Sequence, residues 1–141
     1  MPRAARVPAP QPDSHPGAGL GLPAEGPGSI GGWGRRIVGL CIDWAVASVI
    51  AHAFVNATLG RELGPLAVFA LMHVVLVGTT GFTIGHFLAG LVVRRADGGF
   101  VGPLRALLRT ALLCLVIPAV VSDPDQRGLH DRAAGTVIVR R

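Results

Sequence analysis

An apolar run near the start of the chain is long enough to cross a membrane and carries a carboxylate in its interior. From Ile37 to Leu59 the sequence reads IVGLCIDWAVASVIAHAFVNATL, in which Asp43 is the one acidic residue. A helix needs about 20 apolar residues to cross the hydrocarbon core. A carboxylate at that depth costs about 2.5–3.5 kcal/mol on insertion scales. The run therefore predicts a transmembrane helix in which Asp43 either gains a partner or performs a function.

A second apolar run follows after a short polar turn. Residues 60–64 read GRELG, and Pro65 then opens PLAVFALMHVVLVGTTGFTI, which has no formal charge. Proline is tolerated in the first turn of a helix, and this run also has a spanning length. We therefore predict helices over residues 36–59 and 65–84 that form an antiparallel transmembrane hairpin.

A third apolar block predicts a helix over residues 104–121. It carries Arg105 and Arg109 on one helical face and is interrupted by Pro118. The block is compatible with a third span whose arginines reach the interface, which we prefer, and with a re-entrant or interfacial helix. The expected fold is an all-α membrane protein.

Composition supports a membrane location and argues against nucleic acid as a partner. Half of the 141 residues are hydrophobic and 15% are charged, against about 25% charged in soluble domains. The net charge of +5 comes from arginines that flank the apolar segments and form no basic face with interleaved aromatic residues. All 13 basic residues are arginine, which together with 20 Gly and 11 Pro is typical of high-GC bacterial genomes.

The arginines also predict an orientation in a bacterial cytoplasmic (inner) membrane. Arg35 and Arg36 precede the first span and Arg94 and Arg95 follow the second, whereas the hairpin turn carries only Arg61 beside an acidic residue. Cytoplasmic loops are enriched in Arg and Lys. We therefore expect a multi-pass protein with a cytoplasmic N-terminus, and the side of the C-terminal segment stays open.

The N-terminal residues 1–32 differ in composition from the membrane domain that we place at 33–139. They are rich in Pro, Gly and Ala and lack hydrophobic periodicity, so we predict a disordered tail. A twin-Arg leader is the alternative, because Arg35 and Arg36 precede an apolar run that ends at Ala51-His52-Ala53. Asp43 and the later apolar blocks argue against that alternative.

Several charged side chains are candidate partners for one another. Arg36 and Asp43 are seven residues apart, about 10 Å along a helix, so each needs another partner. We expect Arg105 or Arg109 to pair with Asp43, and Asp131 or Asp97 to pair with Arg36.

His73 is predicted to lie mid-span, as a proton relay or as a donor across helices. No second ligand stands at a defining spacing from it, so we expect no metal site and no cofactor.

Four short motifs, in order, resemble those of the RDD family of small bacterial membrane proteins. They are RRIVGLCID, TTGFTIGHFLAGLVVRRADGG, LRALLRT and GLHDRAAGTVIV, and the resemblance extends from Trp33 to Val139. It implies that Arg36, Asp43 and Asp131 are the signature positions. The family usually has Lys where this chain has His86, which places a titratable group where a fixed cation stands.

The resemblance implies no defined activity, although transport, including sodium–proton exchange for some members, has been suggested for the family. Two functions stay open. One is cation/proton transport through a homo-oligomer with Asp43 as the coupling carboxylate. The other is a non-catalytic accessory or scaffold protein of a membrane complex, in which Asp43 is structural. A nucleophile motif, a metal-ligand set and a nucleotide loop are all missing from the sequence, so we do not expect an enzyme.

Overall fold

A computed structural model describes residues 15–115, 122 and 125–141 of the chain. The described part is mostly helical, as predicted. The helices are α1 (Trp33–Ile50), α2 (Asn56–Thr80), α3 (Ile84–Leu88), α4 (Pro103–Cys114) and α5 (Leu129–Ala134), with a 3-10 turn at Ala18–Leu20 and a π-helical segment at Ala51–Val55. Two strands, β1 (Leu91–Arg95) and β2 (Thr136–Arg140), complete the fold.

Two helical segments among the described residues are long and apolar enough to cross a membrane. They cover Trp33–Val55 and Ala57–Thr80, and only 22% and 28% of their most apolar windows are buried inside the protein. The core helix of a soluble protein would bury most of such a surface. The large apolar side chains on these helices are instead exposed, as lipid contact requires, so the two predicted membrane helices are supported.

The break between the two helices differs from the predicted one. Helix α2 begins at Asn56, and its only residue with non-helical backbone angles is Gly60, at φ 82° and ψ 164°. Pro65, which we expected to open the second helix, lies inside α2. Glycine adopts a positive φ without the steric penalty of other residues, so the interruption falls on Gly60 rather than on the proline.

Helix α2 ends at Gly81, which has φ 83° and closes the helix in the left-handed conformation. Thr83 then caps α3, because its hydroxyl oxygen accepts the His86 backbone N–H. Helix α3 lies so close to α1 that a side chain on Gly85 would collide with the Gly39 backbone oxygen. Only glycine at position 85 therefore allows this approach.

A small antiparallel sheet is the main difference from the all-α prediction. Strands β1 and β2 pair with Leu91 opposite Arg140 and Arg95 opposite Thr136. Strand β1 contains Val92 and Val93, and β2 contains Val137, Ile138 and Val139. Such β-branched residues suit a pleated, half-buried surface. The sheet joins α2 and α4 in one hydrophobic core, made of Val77, Ala89, Leu91, Val93, Val101, Ala106 and Ile138.

Part of the predicted disordered tail is ordered. Ile30 forms a β-bridge with Val139, and Leu20 and Leu22 pack against the same patch of β2. These isolated apolar residues find a partner surface that is formed only by the other end of the chain, which explains why composition alone did not reveal it. Residues 1–14 of the predicted tail lie outside the described part.

Helix α4 covers the first part of the predicted third helix. Its 12 residues span about 18 Å, and residues 116–121 of the predicted helix lie outside the described part. Gly78 on α2 lets α4 approach closely, since an added side chain would meet Pro103 at 3.1 Å. Strand β1 precedes α4 and strand β2 follows it, and the two strands are hydrogen-bonded. The chain therefore enters and leaves this region at the same end of the hairpin.

Candidate functional site

The Asp43 carboxylate is fully buried and joins α1 to the start of α3. Its Oδ1 atom accepts the Gly85 backbone N–H at 2.7 Å, and the Thr83 hydroxyl donates to Oδ2 at 2.5 Å. Both donors belong to the segment that follows the Gly81 break. Asp43 thus fixes the break between α2 and α3 against the first membrane helix.

Two histidines from different elements lie beside the same carboxylate oxygen. The Nε2 atom of His73 on α2 is 3.5 Å from Asp43 Oδ2, and the Nδ1 atom of His86 on α3 is 3.8 Å from it. Within the described part of the chain, no arginine lies within salt-bridge distance of Asp43. The nearest ionisable neighbours of Asp43 in the described part are therefore two imidazoles, which carry no permanent charge.

The hydrogen bond of His73 to its own helix determines what this ring presents to Asp43. His73 Nδ1 is 3.1 Å from the Phe69 carbonyl oxygen, and a carbonyl can only accept, so Nδ1 carries the proton. A neutral His73 then directs the lone pair of Nε2 toward Asp43 Oδ2. Nε2 is buried and has no hydrogen-bond partner among the described residues. Two acceptors facing each other favour a proton or a cation between them.

Thr83 links Asp43 to His86 through a single hydroxyl proton. Its Oγ1 atom is 2.5 Å from Asp43 Oδ2 and 2.5 Å from His86 Nδ1. Because a hydroxyl has one hydrogen, it donates to one of these two atoms at a time. Burial of the ring, followed by the nearby charge of Arg109, holds the pKa of His86 well below its usual value. His86 is therefore a neutral imidazole at physiological pH.

The second buried carboxylate, Asp131 on α5, has a fixed cationic partner. Arg109 on α4 donates from Nε to Asp131 Oδ1 at 2.6 Å, and both side chains are almost fully buried. The Thr136 hydroxyl donates to the same oxygen at 3.0 Å, and His130 Nε2 lies 3.4 Å from Oδ2. Burial alone would raise the pKa of Asp131, but the charges of Arg109 and His130 hold it well below its usual value.

These contacts correct the predicted partners of Asp43. Arg109 pairs with Asp131, and Arg105 donates from Nη1 to the Ala134 carbonyl at 2.8 Å. Both arginines are directed at α5, because that short helix packs against α4. Asp43 is partnered instead by a hydroxyl, an amide N–H and two imidazoles.

Of the two predicted partners of Arg36, Asp97 pairs with another arginine, whereas Asp131 is influenced by the charge of Arg36. Asp97 pairs with Arg95 in an exposed turn and not with Arg36. Arg36 donates from Nε to the Gly31 carbonyl at 2.6 Å. Its positive charge also helps to lower the pKa of Asp131, which is the direction that pairing of these two signature positions predicts.

A cavity of about 70 Å³ lies between the two carboxylate centres. Apolar side chains of α1 and α4 form part of its wall. Its lining also includes two arginines and three histidines, namely Arg36, His73, His86, Arg109 and His130. His73 and His86 line this space and also lie beside Asp43, so the cavity and the carboxylate share these two imidazoles.

Comparison with protein-family models matches residues 30–135 to the RDD family. The chain belongs to the RDD family. RDD proteins are membrane proteins, in agreement with the two apolar helices. No curated protein and no solved structure matches the chain.

The site of this RDD protein includes residues that sequence reasoning missed. Thr83, Gly85 and His86 contact Asp43 although they lie 40 to 43 positions later in the chain. The available signal was His86, which departs from the family's usual Lys. His73, predicted as a relay, does lie beside Asp43.

Proposed function

We propose that this RDD protein is a small membrane transporter that exchanges a cation for protons, with Asp43 as the coupling carboxylate. The observation that carries the proposal is the setting of Asp43, which is fully buried beside two histidines without an arginine in salt-bridge contact among the described residues. An ionisable side chain at membrane depth is expensive and usually serves a function. A proton or a cation bound at this carboxylate would supply a positive charge in direct contact with it, which no arginine of the described part does.

The hydrogen bonds of Asp43 offer a way to couple ion binding to a structural change. The carboxylate holds the N-terminal end of α3 through Thr83 and Gly85. Neutralising Asp43 weakens its charge-assisted bond from Gly85. Loss of that attachment would release α3 from α1 next to the polar cavity, so occupancy of Asp43 and the position of α3 depend on each other.

Transport requires the chain to assemble with copies of itself. Two membrane helices are too few to enclose a polar pathway through about 30 Å of hydrocarbon. Both helices expose large apolar side chains to their surroundings, including Phe54 at 81% and Val49 at 70%. We therefore propose a homo-oligomer whose subunits contact one another through these faces.

We further propose that the chain crosses the bacterial cytoplasmic membrane twice, with β1 and β2 on the cytoplasmic side. The pairing of β1 with β2 supports an even number of crossings, which favours the re-entrant or interfacial alternative for the α4 region over a third span. The arginines at positions 35, 36, 94 and 95 lie at this end and follow the positive-inside rule. Fluorescent protein fused after Arg141 should be bright, and alkaline phosphatase at the same site should be inactive.

The transport proposal is tested by cation-driven proton flux in proteoliposomes. We expect flux with the wild type and with Asp97→Asn, a control that removes an exposed carboxylate from the same chain. We expect flux to fall by at least about tenfold in Asp43→Asn at equal amounts of folded protein. Absence of flux from folded, oligomeric wild type would overturn the proposal.

A non-catalytic accessory role is the alternative, and it is favoured by the structural work that Asp43 performs. The carboxylate accepts the backbone N–H of Gly85 in α3 and fixes α3 to α1. This bond is sufficient to explain a buried charge without transport. A strictly monomeric protein in detergent and in liposomes would favour this role. A stable homo-oligomer would favour transport.

A further inference from the structure

We propose that Asp43, His73 and His86 form a binding site for a divalent transition-metal cation of the zinc class. The site uses the same carboxylate as the proposed exchange, but the inference concerns equilibrium binding and holds with or without transport. Its three ligands come from α1, α2 and α3, so a bound ion would join all three elements at the Gly81 break.

The three ligand atoms already converge. Asp43 Oδ2, His73 Nε2 and His86 Nδ1 all lie within 4.8 Å of one another, and the two distances to the carboxylate are 3.5 and 3.8 Å. Tetrahedral zinc with bonds of about 2.0–2.2 Å holds its ligands about 3.4 Å apart. Small side-chain rotations therefore suffice to place all three atoms around one ion.

His73 has the orientation of a metal-binding imidazole. Ligating histidines almost always donate their other ring N–H to a carbonyl or carboxylate, and His73 Nδ1 donates to the Phe69 carbonyl. This bond leaves the lone pair of Nε2 directed at the carboxylate, buried and without a hydrogen-bond partner among the described residues. A metal ion satisfies this atom and Asp43 Oδ2 together.

The charges around the three ligands permit a bound cation. The ligating species are a neutral imidazole and an ionised carboxylate, and metal binding releases the protons that such groups carry. The charge of Arg109 opposes a nearby cation, but Asp131 compensates it at 2.6 Å. The remaining coordination position is available to the Thr83 hydroxyl or to water from the cavity.

The ligand types indicate which ions the site would accept. Two imidazole nitrogens and one carboxylate suit Zn²⁺, Co²⁺, Ni²⁺ and Cu²⁺, whereas Mg²⁺ and Ca²⁺ prefer sites made of oxygen atoms. Three protein ligands with one open position are typical of zinc sites that exchange ligands rather than of closed structural sites. We therefore expect reversible binding.

The experiment is Co²⁺ binding to the full chain, purified in detergent with a tag that contains no histidine and stripped with EDTA. Visible d–d absorption at equilibrium measures occupancy. We expect one Co²⁺ per chain, displaced by Zn²⁺ and not by a large excess of Mg²⁺. The key variant is His73→Asn, because the asparagine amide retains a donor for the Phe69 carbonyl and removes only the proposed ligand atom.

We expect His73→Asn to weaken Co²⁺ binding by at least about 100-fold, since loss of a ligand exceeds the 10–100-fold cost of losing an outer-shell partner. His86→Asn should do the same and is the second test if His73→Asn does not fold. His52→Asn, which alters an exposed histidine of the same hairpin, should bind like the wild type. Wild type without Co²⁺ absorption, or folded ligand variants with unchanged absorption, would overturn the site. Cation-driven proton flux is measured in EDTA and does not depend on metal binding. Failure of the metal site and failure of the transport proposal are therefore distinguishable.

Discussion

Asp43 and Asp131 are both completely buried, yet their surroundings differ in kind. Asp131 has an arginine at 2.6 Å and a supporting threonine hydroxyl. Asp43 has a threonine hydroxyl, one backbone N–H and two imidazoles beside it. The first carboxylate has a permanent counter-charge in direct contact, and the direct contacts of the second in the described part are a hydroxyl, an N–H and imidazoles, none of which carries a permanent charge.

This difference predicts a structural role for Asp131 and a functional role for Asp43. A buried carboxylate with a fixed counterion has little reason to change state, since removal of either partner leaves an unpaired charge. A buried carboxylate without one changes state when a proton or a cation arrives. The comparison thus predicts that Asp131 holds the fold while Asp43 exchanges ions.

The largest effect should come from breaking the fixed pair. Arg109→Ala should destabilise the folded protein by about 3–5 kcal/mol, because it leaves the Asp131 carboxylate buried without its counterion. Thermal unfolding in detergent and the yield of folded protein measure the loss. Arg105→Ala is the matched control on the same helix face, since Arg105 donates a hydrogen bond to a carbonyl and not to a carboxylate. Equal stability of the two variants would remove the distinction between the two carboxylates.

A smaller effect is expected from filling the contact between α1 and α3. Gly85→Ala places a methyl group against the Gly39 backbone and 2.8 Å from the Asp43 carboxyl carbon. Such overpacking should cost about 1–3 kcal/mol and should displace Thr83 and His86 from Asp43. Gly34→Ala is the control, because an added side chain there meets no atom within 4 Å. Unfolding midpoints compare the two, and an unaffected Gly85→Ala would contradict the close approach.

The pH dependence of stability should differ between the surroundings of Asp43, which include His86, and those of Asp131. The folded-state pKa of His86 is lowered, so its contribution to stability is complete above the unfolded value near 6.5 and declines as pH falls below it. One such group changes the free energy of unfolding by at most about 1.4 kcal/mol per pH unit. Asp131, with its lowered pKa, stays ionised over this range.

Unfolding of EDTA-treated protein between pH 7.5 and 5.5 measures this dependence. We expect the wild type to lose stability on acidification and His86→Asn to show a flatter profile. An identical slope for both proteins would show that His86 is not held neutral by the fold.

The smallest effect should follow from removing the exposed pair. Asp97→Asn breaks the contact with Arg95. The Asp97 side chain is 57% exposed and the Arg95 side chain 38% exposed. Exposed pairs contribute about 0–1 kcal/mol, so the unfolding midpoint and the proton flux should stay near the wild-type values. A loss comparable to that of Arg109→Ala would mean that this turn supports the fold more than its exposure indicates.

The membrane hairpin was predictable from sequence because its signal is local. Two long apolar runs of spanning length predict membrane helices, and the family motifs located the two carboxylates. The interruption and the end of α2 were harder to predict from sequence, since positive φ angles at Gly60 and Gly81 decide where helical geometry stops.

The pairing of charges was not predictable, because it depends on how distant elements pack. Arg109 pairs with Asp131 because α5 packs against α4, although residues outside the described part separate the two helices along the chain. His86 reaches Asp43 only because Gly39 and Gly85 allow two backbones to touch. The short sheet was missed as a fold element because strands of five residues 45 positions apart carry almost no local signal.

The most direct test measures folded fraction and cation-driven proton flux together for Asp43→Asn in proteoliposomes. The asparagine amide oxygen still accepts the Gly85 N–H, so the account predicts folded protein at close to the wild-type level with proton flux reduced at least about tenfold. Flux that persists in folded Asp43→Asn would contradict the assignment of Asp43 to ion exchange. So would a loss of folded protein in Asp43→Asn as large as the loss expected for Arg109→Ala.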